Sequence, residues 1–190
     1  MINHRLSLQM LSVLLIYPRT PGWLETLPDL HSLALEDGLT AILPVIQTLM
    51  AQDIEVLARL FVEAFDFSEA TCLYLTAHEY GNRSERGEAL LIIGNLLNQV
   101  QLQPTVGELP DYLPVLFEFL AQVPEEIDVQ QLTTRIASVC RKIFEGLDPQ
   151  SPYRLVFEYA CNILPCEAVE DALPNKLPDV EDLPYPLIYD

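Results

Sequence analysis

Apolar residues recur at three- and four-residue steps along residues 128–146, at Val129, Leu132, Ile136, Val139, Cys140, Ile143 and Phe144. That spacing lines them up on one stripe of an α-helix. The ends carry helix punctuation: Asp128 with Gln131 reads as a capping box, Arg141 and Lys142 suit the negative C-terminal end, and Gly146 offers a left-handed stop. Residues 53–65 read the same way, with Asp53 as N-cap and Ile54, Leu57, Phe61, Ala64 and Phe65 turned inward. The periodicity predicts further helices over 6–16, 39–50, 69–80, 84–100, 111–120 and 153–164. The breaks agree with it. Gly81-Asn82 closes a helix, 104–110 is a connector, Pro114 falls in a first turn, and Ser151-Pro152 is an N-cap followed by proline at the first helical position. No stretch alternates with period two between turn residues, so the fold class is all-α, an irregular single-domain helical bundle over 1–166. Over 167–190 the texture becomes acidic and proline-rich, with Pro174, Pro178, Pro184 and Pro186. This reads as a tail, extended or laid across the body through Leu183, Tyr185, Leu187, Ile188 and Tyr189.

Composition sharpens this picture in two places. Half of the 190 residues are hydrophobic, enough for a real core, yet no apolar stretch is long enough to span a bilayer, so the chain is expected to be soluble and not membrane-embedded. The run 6–16 behind Arg5 resembles a short signal peptide. It is interrupted by Gln9 and Ser12 and followed by Tyr17-Pro18-Arg19, which favours an amphipathic first helix and a cytoplasmic location. Asp and Glu number 28 against 10 Lys and Arg, a net charge of −18. Such a polyanion excludes nucleic acid as a partner and attracts basic segments of other proteins.

Catalytic chemistry is not visible. His4, His31 and His78 stand apart, and His78-Glu79 begins a zinc-protease motif that Asn82 breaks. Cys72, Cys140, Cys161 and Cys166 form no C-x-x-C and read as reduced packing thiols. There is no nucleophile elbow, Walker loop or dinucleotide-binding turn, so no metal, no catalytic residue and no enzyme activity is expected. What stands out is a series of charged and aromatic groups beside glycine and proline. These are Phe65-Asp66-Phe67, Cys72-Leu73-Tyr74-Leu75-Thr76, His78-Glu79-Tyr80-Gly81, Arg86-Gly87 and 108–114, the run Glu-Leu-Pro-Asp-Tyr-Leu-Pro. Each has a structural role open to it: Asp66 as a cap, Gly81 as a terminator, Arg86 as partner of Glu108 or Glu118, and Asp111 as cap of the helix 111–120.

Taken in order, these residues resemble the signature of the nitrate reductase delta-subunit family, the NarJ-type chaperones of molybdoenzyme assembly. The resemblance runs from Phe61-Val62-Glu63-Ala64-Phe65-Asp66 through Leu73-Tyr74-Leu75-Thr76-Ala77-His78-Glu79-Tyr80-Gly81 and Arg86-Gly87. It continues into 108–114 and closes on Phe117-Glu118-Phe119-Leu120; Leu14-Leu15-Ile16-Tyr17-Pro18 is similar to the family's opening helix. Asn82-Arg83-Ser84-Glu85 departs from the family's usual acidic, small and basic order between the two motifs. The resemblance implies an all-α chaperone that binds the N-terminal segment of the catalytic (alpha) subunit of a respiratory nitrate reductase. It would keep that subunit competent for molybdenum cofactor insertion, the cofactor belonging to the client. The residues it singles out for the client peptide are Phe65, Asp66, His78, Tyr80, Arg86, Glu108, Asp111, Tyr112 and Glu118. Among them Tyr112 offers a large ring with a polar tip, and Glu108, Asp111 and Glu118 would meet basic side chains. Two alternatives stay open: a chaperone for a dimethyl sulfoxide or trimethylamine oxide reductase bearing a twin-arginine signal, and an acidic helical adaptor.

Overall fold

The computed structural model describes residues 4–19, 21–104 and 107–164, so the expected tail, 167–190, lies outside the described residues. Among the described residues are nine α-helices: α1 His4–Leu14, α2 Pro21–Glu36, α3 Leu43–Met50, α4 Ile54–Phe65, α5 Leu75–Tyr80, α6 Glu85–Gln99, α7 Leu113–Gln122, α8 Gln130–Gly146 and α9 Pro152–Ile163. The only β-type pairing among them is an isolated antiparallel bridge between Tyr74 and Tyr112.

The bundle is organised around α7, whose Leu113–Leu120 segment is buried on all sides apart from a half-buried Glu118. A helix that is apolar all round belongs in the interior. It packs along α1, which presents Ser7, Leu8, Leu11 and Leu14, while α8 and α9 pair beside them and α9 also reaches α1 and α3. Under α9 the rings of Phe61, Phe65, Tyr153 and Phe157 meet edge-on or tilted at centroid separations of 4.8 to 6.0 Å, arrangements that aromatic quadrupoles favour. No single helix among the described residues is long and apolar enough to cross a membrane. The apolar segments 40–50 and 54–65 meet at 111° and turn Ile46, Leu49, Leu57 and Phe61 into the common core.

The structure departs from the sequence reading at several helix ends. Helix α2 has no counterpart among the predicted helices, and it carries in its interior Pro28, which removes a donor and normally breaks a helix. Burial of Trp23, Leu27 and Ala34 along one stripe, and the Trp23 Nε1–H bond to the Val13 carbonyl at 3.0 Å, outweigh that penalty. Helix α5 starts at Leu75 and not at residue 69, since 73–75 are drawn into the bridge. Asp128 accepts from the Gln130 N–H at 3.0 Å rather than forming a box with Gln131, so α8 begins at Gln130. Gly146 is not the left-handed stop; it is the last residue of α8, and a Cβ there would sit 3.0 Å from Thr71 Cγ2. Its role is close approach to a buried threonine whose hydroxyl is tied to the Ala64 carbonyl. Gly81, by contrast, terminates α5 at φ 57° as expected.

Candidate functional site

Residues 73–75 and 111–113 run antiparallel, joined by Leu113 N–H to the Leu73 carbonyl at 2.8 Å and Leu75 N–H to the Asp111 carbonyl at 3.0 Å. Successive side chains of an extended segment point to opposite faces. Leu73, Leu75, Asp111 and Leu113 are therefore buried, while Tyr74 and Tyr112 share the outer face, half-buried, with ring centroids 5.3 Å apart. Opposed residues that do not exchange backbone hydrogen bonds bring their side chains closest, and these two tyrosines form such a pair. The Tyr74 hydroxyl donates to Glu108 Oε2 at 2.8 Å and the Tyr112 hydroxyl to the Leu15 carbonyl at 3.3 Å.

Burial, first, and the negative charge around them push both phenols far above their ordinary range. Glu108 and Asp66 contribute to each, and Arg19 opposes the effect at Tyr112. Both phenols therefore stay protonated donors. The patch is an aromatic pair bonded to the Glu108 carboxylate, with the charge of Asp66 also felt at both rings, a surface suited to a cationic side chain.

Behind it, Asp111 is fully buried. Its Oδ2 accepts from the Thr76 N–H at 3.0 Å and from the Thr76 hydroxyl, which in turn accepts from Arg86 Nε at 3.1 Å. The side chain expected to cap the helix 111–120 thus caps α5 instead, across 35 residues of sequence. Arg86, expected to pair with Glu108 or Glu118, is engaged by Thr76, and Glu118 accepts from the Gln122 amide at 3.1 Å.

At the far end of α5, Arg135 of α8 grips Glu79 through two bonds of 2.7 Å, a bidentate and mostly buried pair. Arg83 donates to the Glu79 and Tyr80 carbonyls and lies 5.8 Å above the Tyr80 ring. His78 Nε2 lies 2.7 Å from the Cys72 carbonyl and 3.6 Å from its Sγ. The carbonyl can only accept, so Nε2 carries the proton and is no base for the thiol. Burial chiefly raises the Cys72 thiol, so the pair is not an activated nucleophile.

Burial also holds His78 below its ordinary value of 6.5, against the opposing pull of the Cys72 carbonyl. A depressed histidine means that the unfolded chain binds the proton first as pH falls. Its contribution is whole above about 6.5 and is lost progressively below. Stability measured in urea between pH 7 and pH 5 should therefore fall less steeply in His78→Gln than in the parent chain. Parallel slopes would mean that His78 titrates alike in both states.

Of the nine residues singled out by sequence, the structure gathers Asp66, Glu108 and Tyr112 on one patch and adds Tyr74, which the sequence reading had not selected. Phe65 is in the aromatic core, Asp111 and Arg86 lie behind the patch, His78 and Tyr80 belong to the distal end of α5, and Glu118 stands apart on α7, bonded to Gln122. The alternation Leu73-Tyr74-Leu75 was the available signal for Tyr74. No local signal pointed to Arg135, which reaches Glu79 from 56 residues away. Among the described residues no group of three or more His, Cys, Asp or Glu side chains is placed to hold a metal ion.

Fold and patch together define an all-helical bundle with a tyrosine pair and an acidic side chain at its surface. A solved chain described as a redox enzyme maturation protein of Archaeoglobus fulgidus superposes with a TM-score of 0.61, at 23% identity, over 83% of this chain and 91% of that one. The chain belongs to the nitrate reductase delta subunit family, whose model matches residues 31–148. Its relatives include the Bacillus subtilis protein named as a nitrate reductase molybdenum cofactor assembly chaperone, NarJ, 37% identical over 123 residues, 63% of this chain and 66% of that one. The Escherichia coli chaperone of the same name is 31% identical over 120 residues, 63% of this chain and 50% of the relative. The nitrate reductase-like protein NarX of Mycobacterium tuberculosis is 34% identical over 146 residues, 74% of this chain and 22% of its own length. The aligned region thus spans between about a fifth and two thirds of these relatives.

Proposed function

We propose that this chain is a cytoplasmic assembly chaperone that binds the N-terminal segment of the catalytic subunit of a respiratory nitrate reductase and keeps it competent for molybdenum cofactor insertion. The observation that carries the reading is family membership through residues 31–148, the stretch that contains the tyrosine pair and its carboxylates. The patch supplies a physical means: protonated phenols and two acidic side chains on a body of charge −18 favour a peptide with basic residues. The molybdenum cofactor belongs to the client, and the chaperone's own task is to hold protein, not to catalyse.

A synthetic peptide of the client's N-terminal segment should bind with 1:1 stoichiometry by titration calorimetry and weaken as salt rises, because exposed charges are screened beyond about 8 Å at physiological ionic strength. Capture of the client's folded core with indifference to this peptide would remove the reading. Affinity unchanged by salt would remove its electrostatic part.

A further inference from the structure

A cleft of about 530 Å³ opens where the start of α1 meets the end of α9, with α7 and the start of α8 supplying the rest of its wall. Ligand-sized sites run from about 300 to 1,000 Å³. Leu8, Leu120, Val129, Ile163 and Leu164 form the apolar part of the lining, and His4, Thr133 and Asn162 the polar part. Among the described residues no carboxylate lines it, on a chain of charge −18, and Asp128 beside Val129 is bonded to the Gln130 N–H. Exposed Arg5 follows His4 on the α1 side. Leu164, in the wall, is the last described residue, so the chain leaves for 165–190 from the cleft itself.

We propose that this cleft receives residues 183–189 of the same chain. The apolar residues of 165–190 are densest there, in Leu183, Tyr185, Leu187, Ile188 and Tyr189, separated only by Pro184 and Pro186. Reach is not limiting. Extended chain covers about 3.3 Å per residue, so 165–182 is long enough to pass back along α9, which at 1.5 Å per residue is about 18 Å long. The walls are helices whose backbone groups are bonded internally, so an occupant finds few main-chain partners in them. Pro184 and Pro186 have no N–H to satisfy, and tyrosine hydroxyls can bond to Thr133, Asn162 or His4 at the lip. Charge favours the same choice. Asp179, Glu181 and Asp182 precede the segment and suit the side of the cleft that holds His4 and Arg5, whereas a basic peptide is drawn to Glu108 at the tyrosine patch. Tethering raises the segment's effective concentration at its own cleft to about the millimolar range, ahead of the same segment on a second copy.

The test compares methyl NMR spectra of the full chain with those of a full-length variant carrying Leu187→Asp and Ile188→Asp. The methyl signals of Leu8, Leu120 and Ile163 should move in the variant, while those of Leu27 and Ile93, which do not line the cleft, stay in place. A synthetic peptide of residues 179–190 added to the variant should return the moved signals to their parent positions. Asn162→Trp, at an exposed position of the lip, should fill the cleft and abolish that response when added to the variant. Unmoved signals at Leu8, Leu120 and Ile163 overturn the proposal, as does a response confined to the tyrosine patch. Movement of the three signals by Ile2→Asp, with the tail variant silent, gives the cleft to residues 1–3 and overturns it. Movement by the client peptide, again with the tail variant silent, gives the cleft to the client with the same result. A parent chain that sediments as a dimer, made monomeric by Leu187→Asp and Ile188→Asp, assigns the contact to a second copy and overturns docking within one chain.

Discussion

Replacing Phe65 by alanine is expected to cost about 4 kcal/mol of folding stability, the largest effect of any substitution at a residue the sequence had marked for binding. Its ring is 4% exposed and meets Phe61 at 4.8 Å, Tyr153 at 5.2 Å and Phe157 at 6.0 Å. Truncation removes those contacts and leaves a cavity that three rigid rings cannot close. Phe67, two residues on, is 80% exposed, and Phe67→Ala should change stability by less than about 0.5 kcal/mol. Equilibrium unfolding in urea separates the two. A Phe65→Ala protein that unfolds like its parent and loses only peptide affinity would return Phe65 to the binding surface.

The second large effect is expected at Asp111. An exposed N-cap is worth about 1 kcal/mol. Asp111 caps from inside the protein, and Asp111→Ala would strand the Thr76 N–H and hydroxyl without an acceptor where water does not reach. The expected loss is about 3 kcal/mol. Asp111→Asn keeps an oxygen for both donors and exchanges an unpartnered oxygen for an unpartnered amide nitrogen, so it should lose clearly less than Asp111→Ala. Equal losses in the two variants would show that the carboxyl group itself, and not its acceptor geometry, holds α5.

These two residues also mark how far the sequence could be read. The helices α4, α7, α8 and α9 were legible because their apolar stripes are periodic and their neighbours carry turn residues. Helix α2 was not, because Pro28 argues locally against a helix that only the contacts of Trp23 and Leu27 sustain. Glu108 and Tyr112 were singled out through the order of motifs, whereas what sets Tyr112 beside Tyr74 is a bridge between segments far apart in the chain. Asp111 was recognised as a capping residue and assigned to the wrong helix. The adjacent helix is the natural reading of a sequence, and the true recipient lies 35 residues upstream.

That long-range cap constrains the order in which the molecule can assemble. Six residues are too few to hold a helix in water, so α5 depends on groups supplied from elsewhere: Asp111 at its start and Arg135 at its end. On a ribosome α5 is synthesised well before either. It stays unformed until both have emerged, and closing loops of that length carries an entropic cost that only the completed contacts repay. Tyr74 meets Tyr112 in the same closure. The tyrosine patch is therefore a late product of folding, and a chain cut short before Asp111 carries the family's first motifs without the surface they are meant to build.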